Sequence, residues 1–596
     1  MRRCRQLLCS LAVIGAAIMV PVTSLAAADS APAPRKPSAT DVVPPDAPYK
    51  NPALPFETRV ADLVSRMTLD EKADQVQSNP KEIKRFGMNS INWWTEALHG
   101  VSRAGTATVF PQAMGMAATW DPPLFHKIAD ATADEARAKL DPGGGQYRGV
   151  MIWAPTINMA RDPRWGRTEE SYGEDPWLTS RLSIEFVKGL QGDDPKYLKT
   201  VATPKHFALH SQETSRQSRS FDCPETVLRD YYLPAFRDSF IEGKATSTMS
   251  AFSGLNKIPC TANFWLLTEL LRKEWGFDGA VVTDWSAVQQ LVNAQHYVDT
   301  MEEGVAAALN AGVDVISDRQ GSMTTNIVSA VRDKMLNESV LDRALTRNLM
   351  LRFRLGFFDP DGGPYGHIST KVVESTEHVA LALKTAQESF TLLKNDLPPK
   401  GYGFDKPLLP LDMRRIDSIA VIGPFANTNQ YGAYSGSPTK APTIVNALRD
   451  ALGDRVNLRT SPANDSDQSL KAARDSDVVV FVCGLGPDQE KEGADRGNFA
   501  LPSTQQSLLD RVIKTNPLTI VLLEGGSVIG LEEIKKQAPA IMMIWYPGQQ
   551  GGPAVAQALL GQINPSGKLP LTFYRSAEDL PPLDHYDITE LPGRTY

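Results

Sequence analysis

Gly279-Ala280-Val281-Val282-Thr283-Asp284-Trp285 is the stretch on which the fold turns. A short, continuous, β-rich apolar run that stops at an acid beside a large aromatic reads as a strand buried on both faces, the kind that fills a parallel sheet. The same rhythm recurs on both sides of it, as VMIWAP at 150–155, TVATPKHF at 200–207, STMSAF at 247–252 and DVISD at 314–318. Each run ends in a polar or charged group, and a helix-like segment follows most of them. The pattern predicts a (β/α)8-type barrel over 55–366, whose strand ends gather their side chains on one face.

Toward the N-terminus, Val60, Leu63, Val64 and Met67 fall at helical spacing, and Thr68 with Glu71 forms a capping box that starts a second helix. Residues 29–54 are rich in Pro, Ala and Asp without apolar periodicity and read as an extended linker. The first 28 residues read as an export signal: Arg2, Arg3 and Arg5, an apolar run from Leu7 to Val22, and Ala26-Ala27-Ala28 as the cleavage site. A secreted or periplasmic protein is expected. The apolar run is short for a membrane span, so no membrane association is expected after cleavage.

Toward the C-terminus, Pro360, Gly362, Gly363 and Pro364 close the barrel pattern. A linker helix over 367–390, around Glu377 to Leu393, precedes a second series of buried strands, SIAVIGP, DVVVFVCGLG, LTIVLLEGG and AIMMIWYPG, alternating with helices. This predicts a doubly wound α/β sandwich domain over 391–590, with ligand contacts from the carboxyl ends of its strands. GLG and GGS are not G-x-G-x-x-G, so no dinucleotide site is expected, and a cofactor-dependent oxidoreductase is a distant reading.

Of 596 residues, 42% are hydrophobic and 22% charged, and the net charge of −7 is dispersed. That balance argues against a nucleic-acid partner and suits a neutral substrate such as a sugar. Of the five cysteines, Cys4 and Cys9 lie in the signal, leaving Cys223, Cys260 and Cys483, which allow at most one disulfide and match no zinc spacing. The eight histidines include no H-E-x-x-H, and neither metal nor cofactor is expected. Composition leaves the oligomeric state open.

Asp284 at a strand end is placed to act as a carboxylate nucleophile, with an ordinary helix-capping Asp as the alternative. Lys205-His206 can grip sugar hydroxyls and hold a nearby carboxylate ionised, although a His after a strand also serves as a backbone partner. Arg167 is either a hydroxyl clamp or the partner of Glu169 or Glu170. Trp93, Trp94 and Trp285 are bulky core residues that can also stack on sugar rings, and only Trp285 adjoins an acid.

These stretches form an ordered series: Asn92-Trp93-Trp94-Thr95-Glu96-Ala97-Leu98-His99-Gly100-Val101, Phe110-Pro111-Gln112, Gly166-Arg167, Gly173-Glu174-Asp175-Pro176, Lys205-His206, Trp275 to Gly279, Thr283-Asp284-Trp285 and Asn564 to Pro570. Along nearly all of its length the chain thereby resembles glycoside hydrolase family 3. The resemblance implies a retaining exo-β-glycosidase with Asp284 as nucleophile, and Glu96, Arg167, Lys205 and His206 around the terminal sugar. It places the acid/base in the second domain, in Glu492-Gly493-Ala494-Asp495-Arg496, so Glu492 is the candidate and Glu490 the reserve. A solvated loop Glu is the alternative. An acid needs a raised pKa, expected here from domain closure over the barrel mouth.

Four departures bear on the resemblance. Phe207 to Gln212 lacks the Asp and His pattern of the branch that removes N-acetylglucosamine. Phe252 stands where many members carry a Tyr that bonds the nucleophile, and Lys257 replaces a usual Gly. Residues 591–596 resemble the point where many relatives enter a fibronectin type III-like domain. Glu96 in place of the shorter Asp resembles the β-xylosidase and arabinofuranosidase side, filling the space of a hexose hydroxymethyl, whereas the Trp at 285 resembles glucosidases. β-Xylosidase is placed slightly ahead of β-glucosidase, and a degenerate carbohydrate-binding protein is the non-enzymatic alternative.

Overall fold

The computed structural model describes residues 37–462, 466–590 and 594, so the expected signal segment and most of 591–596 lie outside the described residues. The barrel is built from short parallel segments. Met151–Ile152 pairs with Val201–Ala202, and Ser247–Ser250 pairs with Ala280–Thr283. Single bridges carry the ring onward, Thr95 to Ile152, Phe207 to Ser250, Val282 to Val315 and Ile316 to Gln77, and the Trp93 amide donates to Ser78 O at 2.8 Å to close it. The strand residues are buried, which is why their sequence is continuously apolar rather than alternating.

Helices Phe56–Ser65 and Leu69–Gln75 lie where the periodicity puts them, and Thr68 and Glu71 form the capping box. The preceding stretch, expected to be an extended linker up to residue 54, instead contains a 3₁₀ turn, Pro48–Lys50, with Tyr49 buried. Tyr49 explains the difference: its hydroxyl donates to Phe86 O at 3.2 Å and its carbonyl accepts from Arg59 Nε at 3.0 Å, so one aromatic residue anchors a segment that has no periodicity.

In the second domain five parallel strands lie in the order Asn457–Thr460, Ser418–Ile422, Val478–Gly484, Thr519–Glu524, Ala540–Met543, and Thr391–Asn395 adds an antiparallel edge. The linker helix spans Thr376–Ser389, ending earlier than the sequence suggests because Phe390 turns the chain into that edge strand, and it packs on Gly551–Leu559. The strand order reverses between Ser418–Ile422 and Val478–Gly484, so the loops leaving these two strands open side by side at a topological switch point. Both reach the barrel mouth. The two domains share apolar packing: Met114, Ala118 and Ala160 of the barrel lie in one cluster with strand residues of the sandwich.

Cys223, Cys260 and Cys483 are buried and unpaired, and burial pushes the thiols of Cys223 and Cys260 up to about 12. Lys257 has φ +72°, the left-handed region in which a glycine is unstrained, which accounts physically for the usual Gly there. Among the described residues no helix is long and apolar enough to cross a membrane, and no His/Cys/Asp/Glu group could hold a metal ion.

Candidate active site

A cavity of about 470 Å³ opens where the barrel's strand ends meet the two switch-point loops of the second domain. Glu96, Arg167, Lys205, His206, Asp284, Trp285 and Glu492, all named from the sequence for substrate or catalysis, border it, and the reserve acid Glu490 does not. Asp284 directly follows Ala280–Thr283, so the strand axis aims its carboxylate into the cavity, and Oδ1 accepts the Trp285 amide at 2.7 Å. Burial raises its pKa, Arg216 and Arg167 pull it back, and Glu492 adds to the rise.

On the floor, Lys205 Nζ donates to Glu96 Oε2 at 2.7 Å, and Trp94 Nε1 donates to Glu96 Oε1 at 3.2 Å. Both charged side chains are almost wholly buried (2% and 3% exposed), so each is the other's necessary partner. His206 is fixed by Asn158, whose Oδ1 accepts the His206 amide at 2.7 Å and the ring Nδ1–H at 3.1 Å while its Nδ2 donates to His206 O at 2.9 Å. Burial first, then Arg167, His210 and Lys205, hold its pKa well below the usual range. The ring is therefore neutral with Nε2 as acceptor, 3.3 Å from Arg167 Nη1 and 3.9 Å from Asp284 Oδ2. For Arg167 the two alternatives coexist. Glu170 holds it in a two-pronged bond (2.8 and 2.7 Å), and the remaining Nη1 faces the cavity.

The tryptophans divide. Trp93 is wholly buried and away from the cavity, whereas Trp94 packs between Trp153 (centroids 5.4 Å) and Trp285 (4.7 Å), giving an aromatic wall. Phe252 borders the cavity with the Arg216 guanidinium 5.2 Å from its ring centroid, a contact a phenol would share with its hydroxyl.

Glu492 and Glu490 separate cleanly. Glu492 sits at the tip of a tight turn closed by a Lys491 to Ala494 bridge, with Gly493 at φ +89°. Glu490 is buried (3% exposed), accepting from Gly526 N and Tyr546 Oη, both at 2.8 Å, and does not border the cavity. The turn is clasped onto the barrel. Asp495 accepts the amides of Gly166 (3.2 Å), Glu213 (3.0 Å) and Thr214 (2.7 Å), Arg496 N donates to Arg164 O at 2.7 Å, and Gly493 N donates to Glu213 Oε2 at 2.9 Å.

The electrostatics of Glu492 differ from the expectation of a raised pKa. Burial does push it up, but Arg167 Nη1 at 3.7 Å, Arg216 Nη2 at 2.6 Å and a hydrogen bond from Tyr434 Oη at 2.5 Å outweigh burial and hold it well below the usual carboxylate range. Domain closure delivers cations as well as dehydration, and the cations win.

Arg216, Glu213, Tyr434 and Arg103 were not legible as site residues. Tyr434 comes from the loop after Ser418–Ile422 and Arg216 from the loop after Phe207; neither loop has a periodic pattern, and no spacing signals either residue. Glu213 accepts from Trp165 Nε1 at 2.9 Å and pairs with His210 at 3.0 Å. Burial opposes its charge, yet His210, Arg167 and Arg216 hold it at about 2. His210 is thereby spent inside the protein rather than presented to a substrate.

The geometry agrees with comparison to known proteins. Residues 60–351 match the Glycosyl hydrolase family 3 N terminal domain and 390–595 the Glycosyl hydrolase family 3 C-terminal domain. The chain is 36% identical to "Probable beta-D-xylosidase 7" of Arabidopsis thaliana over 580 residues, covering 91% of this chain and 74% of that one. It is 34% identical to "Beta-xylosidase" of Formosa agariphila over 560 residues, covering 88% and 74%. Among solved structures, a GH3 exo-beta-xylosidase (XlnD) in complex with a xylobiose aziridine probe superposes with a TM-score of 0.83 at 30% identity, covering 93% of this chain and 73% of that one. The β-glucosidase EmGH1 of Erythrobacter marinus superposes with a TM-score of 0.79 at 27% identity, covering 90% and 80%. The chain belongs to glycosyl hydrolase family 3.

Proposed function

We propose that this chain is a retaining exo-β-glycosidase that releases the terminal non-reducing xylosyl residue of β-linked xylo-oligosaccharides or aryl β-xylosides. The observation that carries the reading is the meeting of Asp284, from a barrel strand end, and Glu492, from the second domain, on one cavity that also holds the Glu96–Lys205 pair and an aromatic wall. Asp284 attacks the anomeric carbon while the glycosidic bond breaks and Glu492 gives its proton to the leaving oxygen. In the second step Glu492 takes a proton from water, the water oxygen attacks the anomeric carbon, and Asp284 departs. Lys205, His206 and Arg167 grip hydroxyls, and the neutral His206 accepts through Nε2.

Similarity to chains named β-xylosidase supports the sugar, as does Glu96, a longer side chain bordering the cavity where a shorter Asp would leave more room for a hydroxymethyl group. The second reading is a β-glucosidase acting on cello-oligosaccharides, favoured by Trp285 against Trp94 and by the β-glucosidase structures that superpose. Hydrolysis of aryl β-xyloside against aryl β-glucoside, with Asp284→Asn as control, decides. A xyloside preference of ~10-fold or more supports the first reading, since one carbon's packing is worth about 10–200-fold. A glucoside preference refutes it, and turnover persisting in Asp284→Asn refutes the assignment of the nucleophile. We also propose export, from the Arg2-to-Ala28 signal pattern; a cell-bound product that keeps residues 1–28 would refute it.

A further inference from the structure

Arg216 is held between two carboxylates. Its Nη1 lies 2.8 Å from Glu213 Oε2 without hydrogen-bond alignment, and its Nη2 donates to Glu492 Oε1 at 2.6 Å. Glu213 is immobilised by Trp165, His210 and the Gly493 amide, so it is a fixed post, while Glu492 stands on a turn tip. The guanidinium also lies against the Phe252 ring, a face that makes no directional bond to hold it in one place. Arg167, the other cation near Glu492, has no such freedom, because Glu170 pins it at both prongs. Arg216 also acts on Asp284 as its strongest favourable charge. One cation thus serves both carboxylates that the proposed reaction needs.

We propose that Arg216 is a positioning residue that holds Glu492 as a carboxylate, the form that activates water, and must shift its grip toward Asp284 before Glu492 can protonate a leaving group. This rests on the assignment of Glu492 as acid/base. The charge logic follows the two steps. While Asp284 is ionised it competes for Arg216, freeing Glu492 to carry a proton. Once Asp284 is bound to the sugar carbon its charge is gone, and Arg216 returns to Glu492, which is then the base. The groups facing Glu492 are Arg167, Arg216 and the Tyr434 hydroxyl on the favourable side, and Asp284 and Glu170 on the opposing side. Arg167 and Arg216 each link Glu492 to a fixed carboxylate behind, Glu170 and Glu213, but of the two only Arg216 reaches Glu492 at hydrogen-bond distance, 2.6 Å against 3.7 Å.

The test compares Arg216→Gln and Arg216→Lys with the unaltered enzyme, on methyl β-xyloside, whose leaving group needs a proton, and 2,4-dinitrophenyl β-xyloside, whose leaving group does not. In Arg216→Gln the alkaline limb of kcat/KM for methyl β-xyloside moves up by ~1–3 pH units, the shift an adjacent opposite charge produces. The dinitrophenyl profile keeps its shape, and Arg216→Lys restores most of the original limb. Arg216→Met, which keeps apolar contact with Phe252, replaces the Gln variant if that one melts early. A limb that stays in place, or moves equally in Arg216→Lys, overturns the proposal. Glu492→Gln separates the two failures. If its methyl β-xyloside limb persists, the acid/base assignment is wrong; if that limb vanishes while Arg216→Gln leaves it in place, only the role of Arg216 is wrong.

Discussion

Replacing Gly166 with Ala puts a methyl group where the Glu492 turn crosses the barrel. A Cβ at 166 would stand 2.0 Å from Ala494 O and 2.5 Å from Lys491 O. Both are backbone atoms, so no side-chain rotation relieves the clash. Ordinary contact begins at 3.4 Å, and the turn must retreat by about 1.4 Å. That retreat also stretches the Gly166 N to Asp495 bond, already 3.2 Å, and carries Glu492 away from the cavity. A displacement of ~1 Å at a reacting group costs on the order of 10²-fold, or about 2.7 kcal/mol of transition-state stabilisation. The assay is kcat/KM on xylobiose or methyl β-xyloside, with 2,4-dinitrophenyl β-xyloside as the substrate that bypasses the acid. A loss of ~10²-fold on the first pair and a much smaller loss on the last is expected. Gly497→Ala is the control, since a Cβ there meets nothing within 4 Å. Activity of Gly166→Ala within about threefold of the parent on every substrate refutes the reasoning, because the turn then tolerates displacement or Glu492 does no proton work.

Lys205→Met leaves Glu96 buried without its cation and should lower stability by ~3–5 kcal/mol near neutral pH, read from chemical denaturation; a change under ~1 kcal/mol would show that water reaches the floor. His206 and His99 are both held neutral, burial being the main cause, so the unfolded chain binds protons that the folded chain does not. Stability is therefore fully present above the unfolded pKa of about 6.5 and declines as pH falls below it; an unfolding free energy that is flat from there down to about 5 would contradict this. Lys257→Gly relieves the left-handed backbone at φ +72° and should stabilise by ~0.5–1 kcal/mol net of glycine's entropy, measured by thermal melt. Asp284→Asn should reduce turnover by ~10³-fold or more with the melt nearly unchanged, and retained turnover would reassign the nucleophile.

The local part of this protein is written along the chain. The barrel strands announce themselves because burial on both faces demands a continuous apolar run, and a carboxylate placed one residue beyond such a run, as Asp284 is, must emerge at the strand's end. The capping box of Thr68 and Glu71 and the alternation of strands and helices are decided within a few residues, so spacing alone finds them. The buried Tyr49 marks the limit of that approach, since one aromatic contact orders a segment whose composition reads as linker.

What the tertiary structure alone decided is the environment of the second carboxylate. Glu490 and Glu492 are two residues apart in a polar loop, and no local rule says which of them faces the cavity. The clasp of Asp495 on amides from 166 and from 213–214 decides it, together with Gly166, which lets the turn come close. Tyr434 meets Glu492 because the sheet order reverses between their strands, a fact of topology rather than of sequence spacing. Arg216 arrives from a third loop in the other domain. A carboxylate's charge state depends on every group within several ångströms regardless of its distance along the chain, so the sequence could name Glu492 but not foresee that two arginines and a tyrosine would hold it ionised.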